Sequence, residues 1–135
     1  MDNSFLLKEI EKSAIEIASP PLGMLTEERF IVALIDKIRD TPASSKSVEL
    51  SHLEWLLGTY IDDFEEARKT LMAYIRTGKN TFDDSFYMQD IIDSAERRSL
   101  EKSFKAITTE DVLICVMRKP SDVARRARIH FKVGK

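Results

Sequence analysis

The sequence predicts an all-α fold, and three observations carry that reading. Apolar residues recur three and four positions apart along most of the chain. No segment alternates apolar and polar residues as a half-buried strand does. Gly and Pro, four of each, are too few for a turn-rich all-β chain.

The elements follow in order. Phe5, Leu6, Ile10, Ala14, Ile17 and Ala18 recur at helical spacing. Pro20 and Pro21 stop that helix, because proline lacks an amide hydrogen and crowds the preceding turn. A second helix starts after Thr26, a good cap, with Glu27 and Glu28 in its first turn. Its nearly continuous apolar run, Phe30 to Ile35, predicts burial on most sides. The small polar stretch from Asp40 to Val48 reads as a loop. "SHLEWLLG" reads as a short helix with Ser51 at its start and Gly58 at its end. A fourth helix is expected from Asp62 to Thr77, using Phe64, Ala67, Leu71 and Ile75, with Gly78 closing it. "KNTFDD" is the next loop, and a long helix over about Ser85 to Ser103 uses Met88, Ile91, Ile92, Ala95 and Leu100. Thr108 starts another helix, Pro120 ends it, and a last helix is expected over Ser121 to Lys132. The count is six to eight helices.

A chain of 135 residues, 43% hydrophobic and 33% charged, suits one compact domain or two small halves around one core. A net charge of -2 supplies no general attraction for nucleic acid or an anionic membrane. The single cysteine, Cys115, excludes an internal disulfide and suits a reducing, cytoplasmic setting. The opening residues lack the pattern of a signal peptide. No apolar stretch approaches the ~20 residues of a membrane span.

The sequence also repeats itself. "LTEERFIVALI" (25–35) and "ITTEDVLICVM" (107–117) align with Thr26 on Thr108 and Glu28 on Glu110, and seven further positions are apolar in both. Upstream, Ser13 and Ala14 fall on Ser94 and Ala95, one residue out of step, as a single insertion in the connecting loop requires. Each half is a long helix, a loop, and a Thr-started apolar helix. A half of that size buries its own apolar face poorly. Two halves about a pseudo-twofold axis share one core, and a double repeat is the expected architecture.

"SAIEIASPPLGMLTEERFIVALI" and "SAERRSLEKSFKAITTEDVLICVMRKPSDVARRA" together resemble the double Clp-N repeat, the amino-terminal domain of Clp-type AAA+ unfoldases. The resemblance runs from about Phe5 to Phe131, with repeat one near 3–77 and repeat two near 83–133. Each half of that family reads approximately Ala-x3-Ala, a turn, then Thr-Glu-His-Leu-Leu. Arg29 and Asp111 stand where the family has histidine. The resemblance implies a single domain that docks substrate or adaptor proteins for an AAA+ ATPase, with no catalysis of its own. It also implies downstream AAA+ ATPase domains as partners, and phosphoarginine among the ligands. Carried over by position, the site residues are Thr26, Glu28, Thr108 and Glu110. In the family, such glutamates grip the guanidinium of a phosphorylated arginine.

The residues support that site and a plainer alternative. A carboxylate matches a guanidinium as a bidentate, charge-assisted partner, and hydroxyls and helix-start amides suit a phosphate. Equally, a glutamate in a first helical turn is favoured by the helix dipole alone. Cys115, inside an apolar run, reads as a small buried hydrophobe. His52 and His130 stand in no catalytic or metal-ligand spacing with it, so neither a metal nor a cofactor is expected. Gly78-Lys79 and Gly134-Lys135 lack the earlier glycine of a Walker A loop, so this chain alone is not expected to hydrolyse ATP. Trp55, Tyr60 and Phe64 read as core; one or two left exposed would form a groove for an unfolded segment or an adaptor helix. "RKPSDVARRARIHF" admits an alternative, a free-standing all-α regulatory or DNA-associated protein, although nucleic acid is not expected from the overall charge. A small enzyme using carboxylates has no motif behind it.

Overall fold

The computed structural model of the chain describes residues 2–17, 25–76 and 82–117, with the side chains of 82–88 excepted. Its elements are β1 (Asp2–Asn3), α1 (Phe5–Ile15), α2 (Glu27–Asp40), α3 (Val48–Gly58), α4 (Phe64–Arg76), α5 (Phe82–Glu101), β2 (Ala106–Ile107) and α6 (Thr109–Met117). A single 3-10 turn, Ala43–Ser45, lies between α2 and α3. The architecture is all-α with six described helices, as the periodicity predicts. No described helix is long and apolar enough to cross a membrane. The proline stop at 20 and 21, Gly78 and the expected last helix lie outside the described residues.

Helix α2 is the centre. It is buried without interruption from Glu27 to Ile35, and again at Ile38. Around it pack α1, α3, α4 and α5, while α6 packs on α5 and α3. Each surrounding helix contributes one stripe at helical spacing: Leu7, Ile10 and Ala14 from α1, Leu50, Leu53 and Leu57 from α3, Ala67, Leu71 and Ile75 from α4, Ile91 and Ala95 from α5. Helix α6 adds Val112, Leu113, Cys115 and Val116 to the same core. Each large apolar side chain fully buried there stabilises the fold by about 1.5–3 kcal/mol relative to exposure.

Ion pairs fix the outer helices on the central one. Asp36 of α2 accepts from Arg68 of α4 at 2.5 and 3.3 Å and also pairs with Arg39 at 3.1 Å. Lys37 of α2 reaches Glu9 of α1 at 3.3 Å. These pairs are partly exposed, so each contributes less than about 1 kcal/mol.

Several boundaries and faces differ from those read in the sequence. Helix α3 begins at Val48, not Ser51, because the Ser47 hydroxyl accepts from the Leu50 amide at 3.0 Å. Helix α4 begins at Phe64, where Asp63 caps it by accepting from the Glu66 amide at 3.0 Å. Helix α5 starts at Phe82, earlier than Ser85. Phe5, counted with the apolar stripe of α1, is 78% exposed, and Leu7 takes its place inside. Leu100 is 55% exposed, and Ser99 is buried instead, continuing the spacing Ile91, Ala95, Ser99.

Helix α5 ends in a left-handed turn that no glycine marks. Ser103 has φ 61°. The Phe104 amide donates to the Ser99 carbonyl at 2.9 Å and the Ser103 amide to the Leu100 carbonyl at 3.0 Å, the paired bonds of a Schellman motif. The chain then enters β2, which pairs in parallel with β1, Asp2 opposite Ala106 and Asn3 opposite Ile107. The sequence reading contained no strand. Two residues per strand are too short to show an alternation, and the pair is set by the Ser4 amide donating to the Ile107 carbonyl at 2.8 Å.

Candidate functional site

The repeated motif builds the same helix start twice. Thr26 has extended backbone, its hydroxyl accepts from the Arg29 amide at 3.3 Å, and its carbonyl accepts from the Phe30 amide at 2.9 Å. Thr108 does the same with the Asp111 amide at 3.2 Å and the Val112 amide at 3.2 Å. Each threonine thereby satisfies one of the four amides that a helix start leaves without an intrahelical acceptor.

The two starts differ in what they expose. Thr26 and Glu28 are fully buried. Thr108 is half-buried, and the Glu110 carboxylate is partly exposed. Glu110 Oε1 lies 3.0 Å from His52 Nε2 of α3, a contact between residues far apart in the sequence. The His52 ring stacks on Trp55, with centroids 5.7 Å apart and planes 26° apart. The four sequence-predicted residues therefore sit at two helix starts rather than in one cluster. The second start has a side-chain environment, His52 and Trp55, that spacing alone did not reveal.

The residue after each glutamate is a buried charge of opposite sign in the two halves. Arg29 is fully buried and its Nη1 donates to the Ile17 carbonyl at 3.1 Å, just beyond α1. Burial lowers its pKa from the ordinary guanidinium value. Asp111 is fully buried at the start of α6. It accepts from the Ser99 hydroxyl at 2.5 Å, the Thr108 hydroxyl at 2.7 Å and the Lys102 ammonium at 2.9 Å, and Arg98 lies 3.0 Å away. Burial alone raises the pKa of this carboxyl, but the bonds from Ser99, Lys102 and Thr108 outweigh it and hold the group below the usual aspartate value. No motif in the sequence marked this cluster, because its members come from the end of one helix and the start of the next.

Chemically the arrangement suits binding. Among the described residues, His52 is hydrogen-bonded through its Nε2 to Glu110 Oε1. Cys115 is buried in α6, inside the core. No group of three metal-ligating side chains occurs among the described residues. A depression along the outer face of α5 is lined by Asp90, Asp93, Ser94, Glu96, Arg97 and Leu100.

No protein-family model, no curated protein and no solved structure matches this chain.

Proposed function

We propose that this chain is a protein-docking domain of the Clp amino-terminal type, binding substrate or adaptor proteins for an AAA+ unfoldase in the cytoplasm and catalysing nothing itself. The observation that carries the reading is the doubled unit. In both halves a long helix buries a small alanine, Ala14 or Ala95, and a Thr-capped, mostly apolar helix follows it. That unit is the one in which the sequence resembles the family.

Within this reading the start of α6 is the accessible ligand site. Glu110 presents a partly exposed carboxylate to a guanidinium, and the first amides of α6 are the donors offered to a phosphate. Glu28, at the equivalent place on α2, is enclosed.

Two measurements test the proposal. Phosphoarginine titrated into the domain by calorimetry should give saturable heat, and Glu110→Ala should remove most of it. Heat that survives Glu28→Ala with Glu110→Ala rejects those residues as the site. Separately, the natural gene product, tagged at its own locus, should either contain or co-purify with an AAA+ ATPase. Recovery with no such ATPase under ATP-bound conditions overturns the unfoldase partnership.

A further inference from the structure

A polar contact crosses the seam between the two halves of the repeat. His52 belongs to α3 of the first half, and Glu110 to the first turn of α6 in the second. Nε2 of the imidazole lies 3.0 Å from Glu110 Oε1. The other side of the contact is also held: the ring stacks on Trp55, with centroids 5.7 Å apart. The two side chains are 47% and 34% exposed, so protons from solvent reach the pair while the chain stays folded.

A histidine is the side chain that ordinarily changes charge between about pH 5 and 8. A carboxylate only accepts, so a 3.0 Å contact places a hydrogen on Nε2, and an incoming proton goes to Nδ1. The neutral ring then offers Glu110 an ordinary hydrogen bond. The protonated ring offers the same bond with charge on both partners, which is about twice as strong.

The other charges on the elements packed here leave that exchange to this pair. On α3, Glu54 is held by Lys46 at 2.8 Å, and Glu49, one turn before His52, favours a positive ring as Glu110 does. On α6, the other charged residue is Asp111, buried and bonded to Lys102 with Arg98 beside it. On α2, Asp36 and Arg39 pair toward α4 and Lys37 pairs with α1. Glu27, Glu28 and Arg29 are buried at the start of α2.

We propose that His52 and Glu110 form a proton-operated clasp between the two halves, in which protonation of the imidazole tightens α3 on α6 as pH falls from about 8 to about 5. The charge-dependent part of the tie is present with the ring protonated and is lost as pH rises. Both partners are partly exposed, so that part is worth about twofold to fivefold in the unfolding equilibrium. The clasp is independent of any docking ligand and of the unfoldase.

A double-mutant cycle on the full chain tests it, with His52→Gln, Glu110→Gln and the double variant unfolded in urea at about pH 5.5 and about pH 8. Glutamine keeps a hydrogen-bonding group at either place and removes the charge, and the other titrating groups cancel in the cycle. The pair should couple by about twofold to fivefold in the unfolding constant at the lower pH, and the coupling should fade at the higher. Equal coupling at both, or none at the lower pH, overturns the proposal. A second readout needs no unfolding. Trp55 is the only tryptophan in the chain and lies against the imidazole, so its emission should follow one step between about pH 5 and 8 that His52→Gln abolishes. A flat curve in the natural chain, or a step that survives the substitution, overturns the assignment to His52.

Discussion

Arg29 and Asp111 hold the same place in two copies of one motif, three residues beyond a capping threonine, and both reach back to the end of the preceding long helix. Arg29 donates to the Ile17 carbonyl, and Asp111 pairs with Arg98 and accepts from Ser99. In the repeat alignment Arg98 falls on Ile17. The two halves thus make one tie with opposite charges: a cation to a backbone carbonyl in the first, a carboxylate to side chains in the second. A charge in that place is tolerable only when it is bonded, because an uncompensated buried ion costs several kcal/mol.

Removing the second tie should be costly. Asp111→Ala leaves Lys102 and Arg98 facing each other without their carboxylate and should lower stability by about 3 kcal/mol in urea unfolding. The loss should depend on pH. The carboxyl of Asp111 sits below its ordinary value of 3.8 in the folded chain. Its contribution is therefore complete above that pH and disappears as pH falls through the lower folded-state value. The stability difference between the natural chain and Asp111→Asn should be constant near neutrality and shrink below about pH 4. A difference that stays constant into strong acid would show that the carboxylate charge is not what stabilises this corner.

The caps can be ranked. Thr26→Ala should cost about 1–2 kcal/mol, the upper part of the range for capping residues, because the hydroxyl satisfies a buried amide. Thr108→Ala removes a cap and also a donor to Asp111 Oδ2. It should be coupled to Asp111→Ala in a double-mutant cycle by at least about 0.5 kcal/mol, while Thr26→Ala with Asp111→Ala should be additive.

Ser103 is strained and replaceable. Glycine at this left-handed position carries no Cβ penalty, so Ser103→Gly should raise stability by about 1 kcal/mol. Thermal melts of the two chains decide it. A lower melting temperature for the glycine variant would mean that the Ser103 side chain makes a contact outweighing the backbone strain.

What the sequence made legible was whatever a short window contains. Thr26 and Thr108 each stand before an apolar run with acidic residues in the first turn, and both helices start where that pattern places them. The start of α3 was less legible, because the stretch from Thr41 to Ser51 offers several residues able to cap. The choice of Ser47 depends on Leu50 being drawn into the core. Ser103 in a left-handed turn left no mark, since glycine is the usual signal there. The candidate site was half visible. Glu28 and Glu110 are equivalent in the repeat, yet one is enclosed and the other meets His52 from a different helix. Burial and contacts between distant residues are properties of the packed chain, and no local pattern encodes them.

The small parallel pair of β1 and β2 has a consequence for the order of events during synthesis. Asn3 lies opposite Ile107 in that pair. A ribosome adding about 5–20 residues per second makes the second strand roughly 5 to 20 seconds after the first. Through that interval α1 and α2 can associate, but the segment ahead of α1 has nothing to join. The pair therefore closes only after α1 to α5 have been made, and the amino-terminal half emerges with one edge still waiting for the other.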